Sequence, residues 1–264
     1  MKSRNQGKEK RDLKSGLFIT FEGTEGSGKT TQCRRLAKAL RFQGYQVVET
    51  REPGGTPLAE AIRRLLLSHS KTQSNIETIT PACETALILA ARSQHVAHVI
   101  RPGLAQGMIV LCDRFFDSTL AYQGYGRNLD TTFLDQSHQF ATEGLTPHLT
   151  FLLDLPIQDG LTRRRKSKQQ NRLDQESLDF HQRVRRGFIA LAKQNPQRIR
   201  KLDARQSPDA LTIQIASMTA SLIHAEQSTR LAHSLKSIRK IQQDHTKGAP
   251  NHGVSRYRRA STTN

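Results

Sequence analysis

Gly23-Thr24-Glu25-Gly26-Ser27-Gly28-Lys29-Thr30 stands directly behind the apolar run Leu17-Phe18-Ile19-Thr20-Phe21. The spacing is Gly-x-x-x-x-Gly-Lys-Thr, a phosphate loop entered from a strand. Its glycines let the backbone wrap a phosphate, and its N–H groups form an anion nest at the start of a helix. Residues 31–42 (TQCRRLAKALRF) supply that helix, with Leu36, Ala37 and Leu40 at helical spacing. Lys29 is placed to reach the outer phosphates and Thr30 to offer its hydroxyl to Mg²⁺. A glycine turn with a chance Lys-Thr is the alternative, and both flanks speak against it. The loop implies nucleoside triphosphate binding without naming the reaction.

Apolar runs at 45–49, 108–112, 149–155 and 199–202 repeat the strand signal of 17–21. Helical spacing occurs at 29–42, 57–67, 82–101, 131–142, 157–168, 175–194 and 208–225. Strands alternating with helices predict an α/β fold, a central parallel sheet with helices on both faces. Chemistry in such folds gathers at the carboxyl ends of the strands.

The chain has 264 residues and a formal charge of +18. Residues 1–16 hold six Lys/Arg against Glu9 and Asp12, and residues 226–264 hold eight against Glu226 and Asp244. A basic body suits a protein that handles polyphosphates. The basic ends read either as solvated extensions or as nucleic-acid contacts. Three domains of the sequence follow: a basic extension at 1–16, a phosphate-loop domain at 17–226, and a basic extension at 227–264 with room for one further helix. Cys33, Cys83 and Cys112 have no metal-ligand spacing and read as reduced thiols. No apolar run reaches the ~18 residues of a membrane span, and the N-terminus lacks a signal-peptide core. The expectation is a cytoplasmic protein without a membrane partner.

Met108-Ile-Val-Leu-Cys-Asp113 ends an apolar strand in a carboxylate. Beside the loop, Asp113 is a candidate for holding Mg²⁺; alone it would be a turn residue. Arg114 follows it, and Arg51 opens Arg-Glu-Pro-Gly-Gly-Thr at another strand end. Arginine forks match phosphate oxygens, so the pair points to an acceptor phosphate. Residues 161–172 (LTRRRKSKQQNR) are basic and nearly free of apolar side chains. They form either a solvated face or a mobile lid that carries arginine to a transferring phosphoryl group.

These segments together resemble the thymidylate kinase (dTMP kinase) family, over about Leu17 to Ala210. The segments that carry the likeness are the phosphate loop, Arg51–Thr56 (REPGGT), Ala90–His95 (AARSQH), Asp113–Gly124 (DRFFDSTLAYQG) and Pro147–Asp154 (PHLTFLLD). The resemblance implies ATP- and Mg²⁺-dependent conversion of dTMP to dTDP by a homodimer with the phosphate-loop monophosphate kinase fold. It implies that Gly23, Thr24, Glu25, Gly26, Ser27, Gly28, Lys29 and Thr30 surround the ATP phosphates, with Thr30 and Asp113 at the metal. Glu25 looks like the family's acid near the acceptor sugar's 3′-hydroxyl. Arg51 and Arg114 look like ligands of the acceptor phosphate, and Arg92 and Thr119 like contacts to the thymine edge. Tyr122 looks like the residue that crowds the 2′ position, with Gln123 in the same wall. The phosphate loop has no basic residue between Gly23 and Gly28. That resembles the family type whose catalytic arginines sit in the lid, here Arg163, Arg165 and Arg172 within about 161–174. Which of the three meets the phosphoryl group is left open. Ile88 stands where many members stack an aromatic ring on thymine, and Leu89, Phe115 or Phe116 are possible substitutes. His148 stands where Asp is frequent.

Rival functions are a phosphate-loop kinase for another deoxynucleotide or nucleoside, and a nucleic-acid-stimulated NTPase that uses the basic ends.

Overall fold

A computed structural model describes residues 16–67, 77–165 and 172–247, with side chains to residue 229. The basic N-terminal residues, the middle of the lid segment and the end of the C-terminal extension lie outside the described residues. Five strands form one parallel sheet in the order β2-β3-β1-β4-β5. They are β1 (Leu17–Glu22), β2 (Val47–Arg51), β3 (Ile109–Asp113), β4 (Leu149–Asp154) and β5 (Ile199–Asp203). The predicted parallel sheet is therefore present.

β1 is central and wholly buried. It pairs on one side with β3 and on the other with β4. The register sets Phe21 beside Asp113, and Asp113 beside Arg51. Three sequence-distant strand ends thus finish on one edge. Phe18, Val110, Cys112, Phe115 and Leu152 fill the core along with Phe180, Val184 and Phe188 from α8 (Leu178–Gln194).

α1 (Lys29–Phe42) buries Cys33, Leu36, Ala37 and Leu40, the face expected from their spacing. α2 (Pro57–Leu67) and α6 (Thr131–Thr142) also match their expected bounds. β2 begins two residues later than its apolar run, because Tyr45 N closes α1 on Leu40 O. The delay carries Arg51 to the sheet edge. The single helix expected at 82–101 is three pieces: α3 (Pro81–His95), a π turn (Val96–Ile100) and α4 (Arg101–Ala105). Pro102 has no N–H to give the ladder, so the helix loosens there. Residues 116–126, without a helix signal in the sequence, form α5 (Phe116–Thr119) and a second π turn (Leu120–Gly126).

α7 (Ile157–Arg165) ends in the three arginines 163–165. After the undescribed residues, a 3₁₀ turn (Arg172–Gln175) precedes α8, which starts later than expected because Ser177 caps Phe180 N at 3.1 Å. α9 (Pro208–Lys247) is one helix where two were expected. No Gly or Pro interrupts 209–247, so nothing breaks it. The chain divides into compact units at Met218/Thr219, inside α9. In the first unit, α9 meets α1 through Gln32 Nε2 on Pro208 O (2.8 Å) and Thr212 Oγ1 on Gln32 (2.9 Å). In the second, Thr229 Oγ1 donates back to Ala225 O at 2.9 Å.

Candidate active site

The phosphate loop leaves β1 at Gly23 and enters α1 at Lys29. Gly23, Gly26 and Gly28 all have positive φ. A Cβ on Gly23 would lie 2.4 Å from Leu153 O, and one on Gly26 would lie 2.3 Å from Gly160 O. A Cβ on Gly28 would meet nothing within 4 Å and would project into open space. Packing thus demands the first two glycines, and the left-handed backbone, with φ at 95°, favours the third. Lys29 is buried, and its Nζ donates to Thr24 O at 2.8 Å and to Ser27 Oγ at 3.4 Å. Burial, with Arg114 nearby, lowers its pKa to about 8. Thr24 Oγ1 is buried without a hydrogen-bond partner.

Thr30 Oγ1 donates to Asp113 Oδ2, which joins the loop to the end of β3. Asp113 Oδ1 is buried and unpartnered. A hydroxyl and a carboxylate with a spare oxygen fit a hard cation such as Mg²⁺, which takes few protein ligands and completes its shell with phosphate and water. Among the described residues, no group of three or more His, Cys, Asp or Glu is gathered as a metal centre.

Arg114 is the centre of the second cluster at this sheet edge. Its φ is 73°, the left-handed region that a bulky side chain rarely enters. Several bonds hold the turn. Arg114 N donates to Phe21 O at 2.9 Å, and Phe115 N donates to the buried Glu22 carboxylate at 2.8 Å. Ser118 Oγ donates to Glu22 at 2.6 Å and accepts from Arg114 Nη1 at 3.1 Å. Arg114 Nη2 reaches Glu25 at 3.0 Å and Tyr122 Oη at 3.2 Å, and Tyr122 Oη donates to Glu25 at 2.7 Å. The expected Glu25, Arg114 and Tyr122 are thus one cluster at the loop.

The electrostatics of the cluster follow from this packing. Burial opposes charge on Glu25, yet Arg114 and Lys29 prevail and hold its pKa below the usual carboxylate range. Burial likewise opposes charge on Arg114, but Tyr122, Glu25 and Asp113 raise its pKa well above the ordinary value. Glu22 goes the other way. Burial, helped by Asp117, pushes it up to about 7.

Arg51 reaches the same edge, but its side chain is half exposed and paired with Glu60 at 3.1 Å. Glu60 also accepts from Gly55 N at 3.2 Å, so it braces the 51–56 turn. Arg63 closes that turn through Pro53 O at 2.8 Å. Arg92 is almost fully buried, with Nε on Glu52 at 2.7 Å. His95 Nδ1 meets the other Glu52 oxygen at 3.0 Å, and His95 Nε2 meets Thr50 Oγ1 at 2.7 Å. Arg92 Nη1 and Thr119 Oγ1 are both buried and unpartnered. Ile88, half-buried, packs on the cluster of Ala59, Ile62, Leu66 and Ala91. The possible aromatic substitutes, Phe115 and Phe116, are core residues packed at His138 and Phe18. His148, for which no chemistry was expected, accepts Phe18 N at 2.9 Å on Nδ1.

Gln123 turns its amide to Glu84, donating at 2.8 Å. Of the lid arginines, Arg163 Nη1 donates to Ala204 O at 3.2 Å. Arg165 lines a cleft of about 350 Å³ with Leu161, Arg164 and Asp174. Arg172 is bound to Glu84 and, through Nε, to Leu66 O at 3.1 Å. Glu22, Glu52, Glu84, Arg127 and Ser118 were not singled out in the sequence. Glu22 and Glu52 had one local signal, a carboxylate beside a glycine turn at a strand end. Glu84 and Arg127 had none, because their partners are far away in the chain.

A thymidylate kinase family model matches residues 21–215. A thymidylate kinase from Thermomicrobium roseum is 53% identical over 195 residues, spanning 74% of this chain and 90% of that protein. One from Geobacter sulfurreducens is 47% identical over 207 residues, spanning 76% and 95%. The crystal structure of a thymidylate kinase from Ehrlichia chaffeensis matches with a TM-score of 0.58 and 37% identity, over 71% of this chain and 93% of that one.

Proposed function

The chain belongs to the thymidylate kinase family, and from that premise we propose how its residues carry phosphoryl transfer from ATP to dTMP. It is a nucleoside monophosphate kinase that phosphorylates dTMP to dTDP. The observation that supports the residue roles best is the shared edge of β1, β2 and β3. There the phosphate loop, Arg51 and Arg114 stand together by strand register.

Gly23 to Thr30 hold the ATP phosphates, and Lys29 is the buried cation that meets them. Thr30 and Asp113 would hold Mg²⁺, which would supply charge neutralisation at the phosphate oxygens. Arg114 binds the acceptor phosphate from a turn fixed by Glu22 and Ser118, and Arg51 approaches from β2. Glu25 releases one of its partners, Arg114 or Tyr122, to take the acceptor sugar. Arg92 Nη1 and Thr119 Oγ1, both buried and unpaired, are free to read the polar edge of the base. Tyr122 and Gln123 wall the sugar, and Ile88 packs on the base.

The acceptor phosphate has its second pKa near ~6 and is mostly dianionic at neutral pH. No general base is required. What the protein must do is join two polyanions in line, and fixed cations do that. Lid arginines among Arg163, Arg165 and Arg172 add charge as the lid closes and excludes water. A homodimer is supported by apolar side chains exposed at i, i+7 spacing, Leu58 and Leu65 on α2 and Phe133 and Phe140 on α6. The three cysteines are free thiols, in keeping with a cytoplasmic enzyme of dTTP supply.

The test is ADP formation from ATP with dTMP, dUMP, AMP, GMP, CMP, thymidine or single-stranded RNA as the only acceptor. dTMP should be preferred. Equal ADP release without a nucleotide acceptor, or stimulation by RNA alone, would overturn these roles.

A further inference from the structure

We propose that Glu84 is a positioning residue that ties the lid to the acceptor wall, and that Arg172 is the lid's anchor rather than its catalytic arginine. The inference rests on the dTMP kinase reading above.

Glu84 lies in the first turn of α3 and is nearly fully buried. A buried carboxylate must be matched by donors, and Glu84 collects three donor side chains from two separated segments. Gln123 donates at 2.8 Å from the acceptor wall. Arg127 donates through Nε at 3.3 Å and Nη2 at 3.2 Å from the end of the second π turn. Arg172 Nη2 completes the set from the lid's return. Arg127 also bonds Glu176 at 2.6 Å, and its guanidinium stands 4.6 Å from the centre of the Phe180 ring. Two carboxylates and two guanidinia therefore form a neutral quartet between α3, residues 123–127 and residues 172–180.

Arg172 has a second fixed contact, Nε to Leu66 O at the last turn of α2. Two of its nitrogens are thereby committed to the acceptor side of the molecule. An arginine that meets a transferring phosphoryl group needs its fork free. Arg163, which spends one nitrogen on Ala204 O at 3.2 Å where Arg172 spends two, and Arg165 stand instead in the last turn of α7. The geometry divides the labour: α7 supplies the charge for the phosphoryl group, and Arg172 with Glu84 fixes residues 172–175 against α3. Since Gln123 shares Glu84, the acceptor wall is set by the same carboxylate.

The test is a double-mutant cycle on the full chain, with ATP and dTMP varied separately and melting temperature recorded for each variant. Wild type must first show dTMP-dependent ADP formation; its failure would count against the dTMP kinase reading, not against this proposal. Glu84→Gln should raise KM for dTMP by about tenfold, the loss of a charged hydrogen-bond partner. Arg172→Ala should lower kcat by less than about tenfold and raise ATP hydrolysis in the absence of dTMP. Its effect should largely vanish in the Glu84→Gln background, since the two act as one unit. Arg163→Ala or Arg165→Ala should lower kcat by about 10³-fold, the scale of a catalytic arginine. The proposal falls if Arg172→Ala costs kcat about 10²-fold or more, or costs the same in both backgrounds. It also falls if Glu84→Gln leaves KM and kcat unchanged. Should Glu84→Gln not fold, Arg172→Lys compared with Arg165→Lys decides: an anchor tolerates lysine far better than a phosphoryl ligand does.

Discussion

Lys29 is a buried cation, and its proposed role gives it an anion from the substrate. Its Nζ rests on Thr24 O, and burial lowers its pKa to about 8. Lys29→Ala should abolish most turnover while far-UV circular dichroism stays unchanged; near wild-type transfer would remove Lys29 from the phosphate site. A triphosphate beside Lys29 favours its charged form, so binding above pH 8 must take up a proton. ATP affinity should therefore weaken as pH rises through about 8, by at most about tenfold per unit. Calorimetry in buffers of different ionisation enthalpy should show proton uptake there and little near pH 6.5. No uptake at pH 9 would mean that Lys29 stays charged without ligand. Ile88 carries a different prediction at this scale. It packs on Ile62 and Leu66 but offers a base no aromatic face. Stacking is worth ~1–3 kcal/mol per base, so Ile88→Phe should lower KM for dTMP severalfold. An unchanged or higher KM would mean that another side chain already covers the ring.

Among the elements, the phosphate loop makes distinct demands on its glycines. Gly26 faces the backbone of Gly160 at α7, so Gly26→Ala must displace that helix. Gly28 has open space before it, so Gly28→Ala adds mainly backbone strain, about 1 kcal/mol. Thermal melts should show a large loss for Gly26→Ala and a small one for Gly28→Ala. ATP affinity should fall in both, because the Gly28 methyl enters the phosphate cradle. Equal loss of stability would refute the division. This loop was legible in the sequence because its signals are local: a strand, a spacing and a helix start within a few residues of each other. α1, α2 and α6 were legible for the same reason. The 114–126 segment was not. Its conformation depends on Glu22, which faces it only through the β1–β3 register, and no spacing in 114–126 reports that. Arg92 is a related case. The family resemblance implies a base contact for Arg92, but its buried pairing is with Glu52, forty positions away in the chain.

For the whole molecule, the buried carboxylates set how stability responds to pH, and they divide by environment. Glu25, Glu52 and Glu84 are buried too, but their arginine partners hold their pKa values below the usual range. Their stabilising contribution is present above about pH 4.5 and lost in acid. Glu22 has Asp117 as a neighbour and, among the described residues, no salt bridge, although Arg114 lowers its pKa in part. Its folded-state pKa of about 7 lies above the 4.5 of an ordinary carboxylate. The folded protein therefore holds a proton that the unfolded chain gives up between pH 4.5 and 7. Its contribution is fully present below pH 4.5 and is lost as pH rises through 7. Within pH 5.5–7.5 the three paired carboxylates are already ionised, so Glu22 is the carboxylate that titrates. Glu22→Gln removes that titration and keeps a neutral side chain of the same shape. The stability of wild type relative to Glu22→Gln should then fall from pH 5.5 to 7.5, by up to about 1.4 kcal/mol per unit near pH 6 and about half that at pH 7. Denaturant unfolding of both proteins across that range measures it. A difference that stays flat across pH 5.5–7.5 would show Glu22 ionised in the fold throughout that range, held by Arg114 and Ser118 instead of being neutralised by burial.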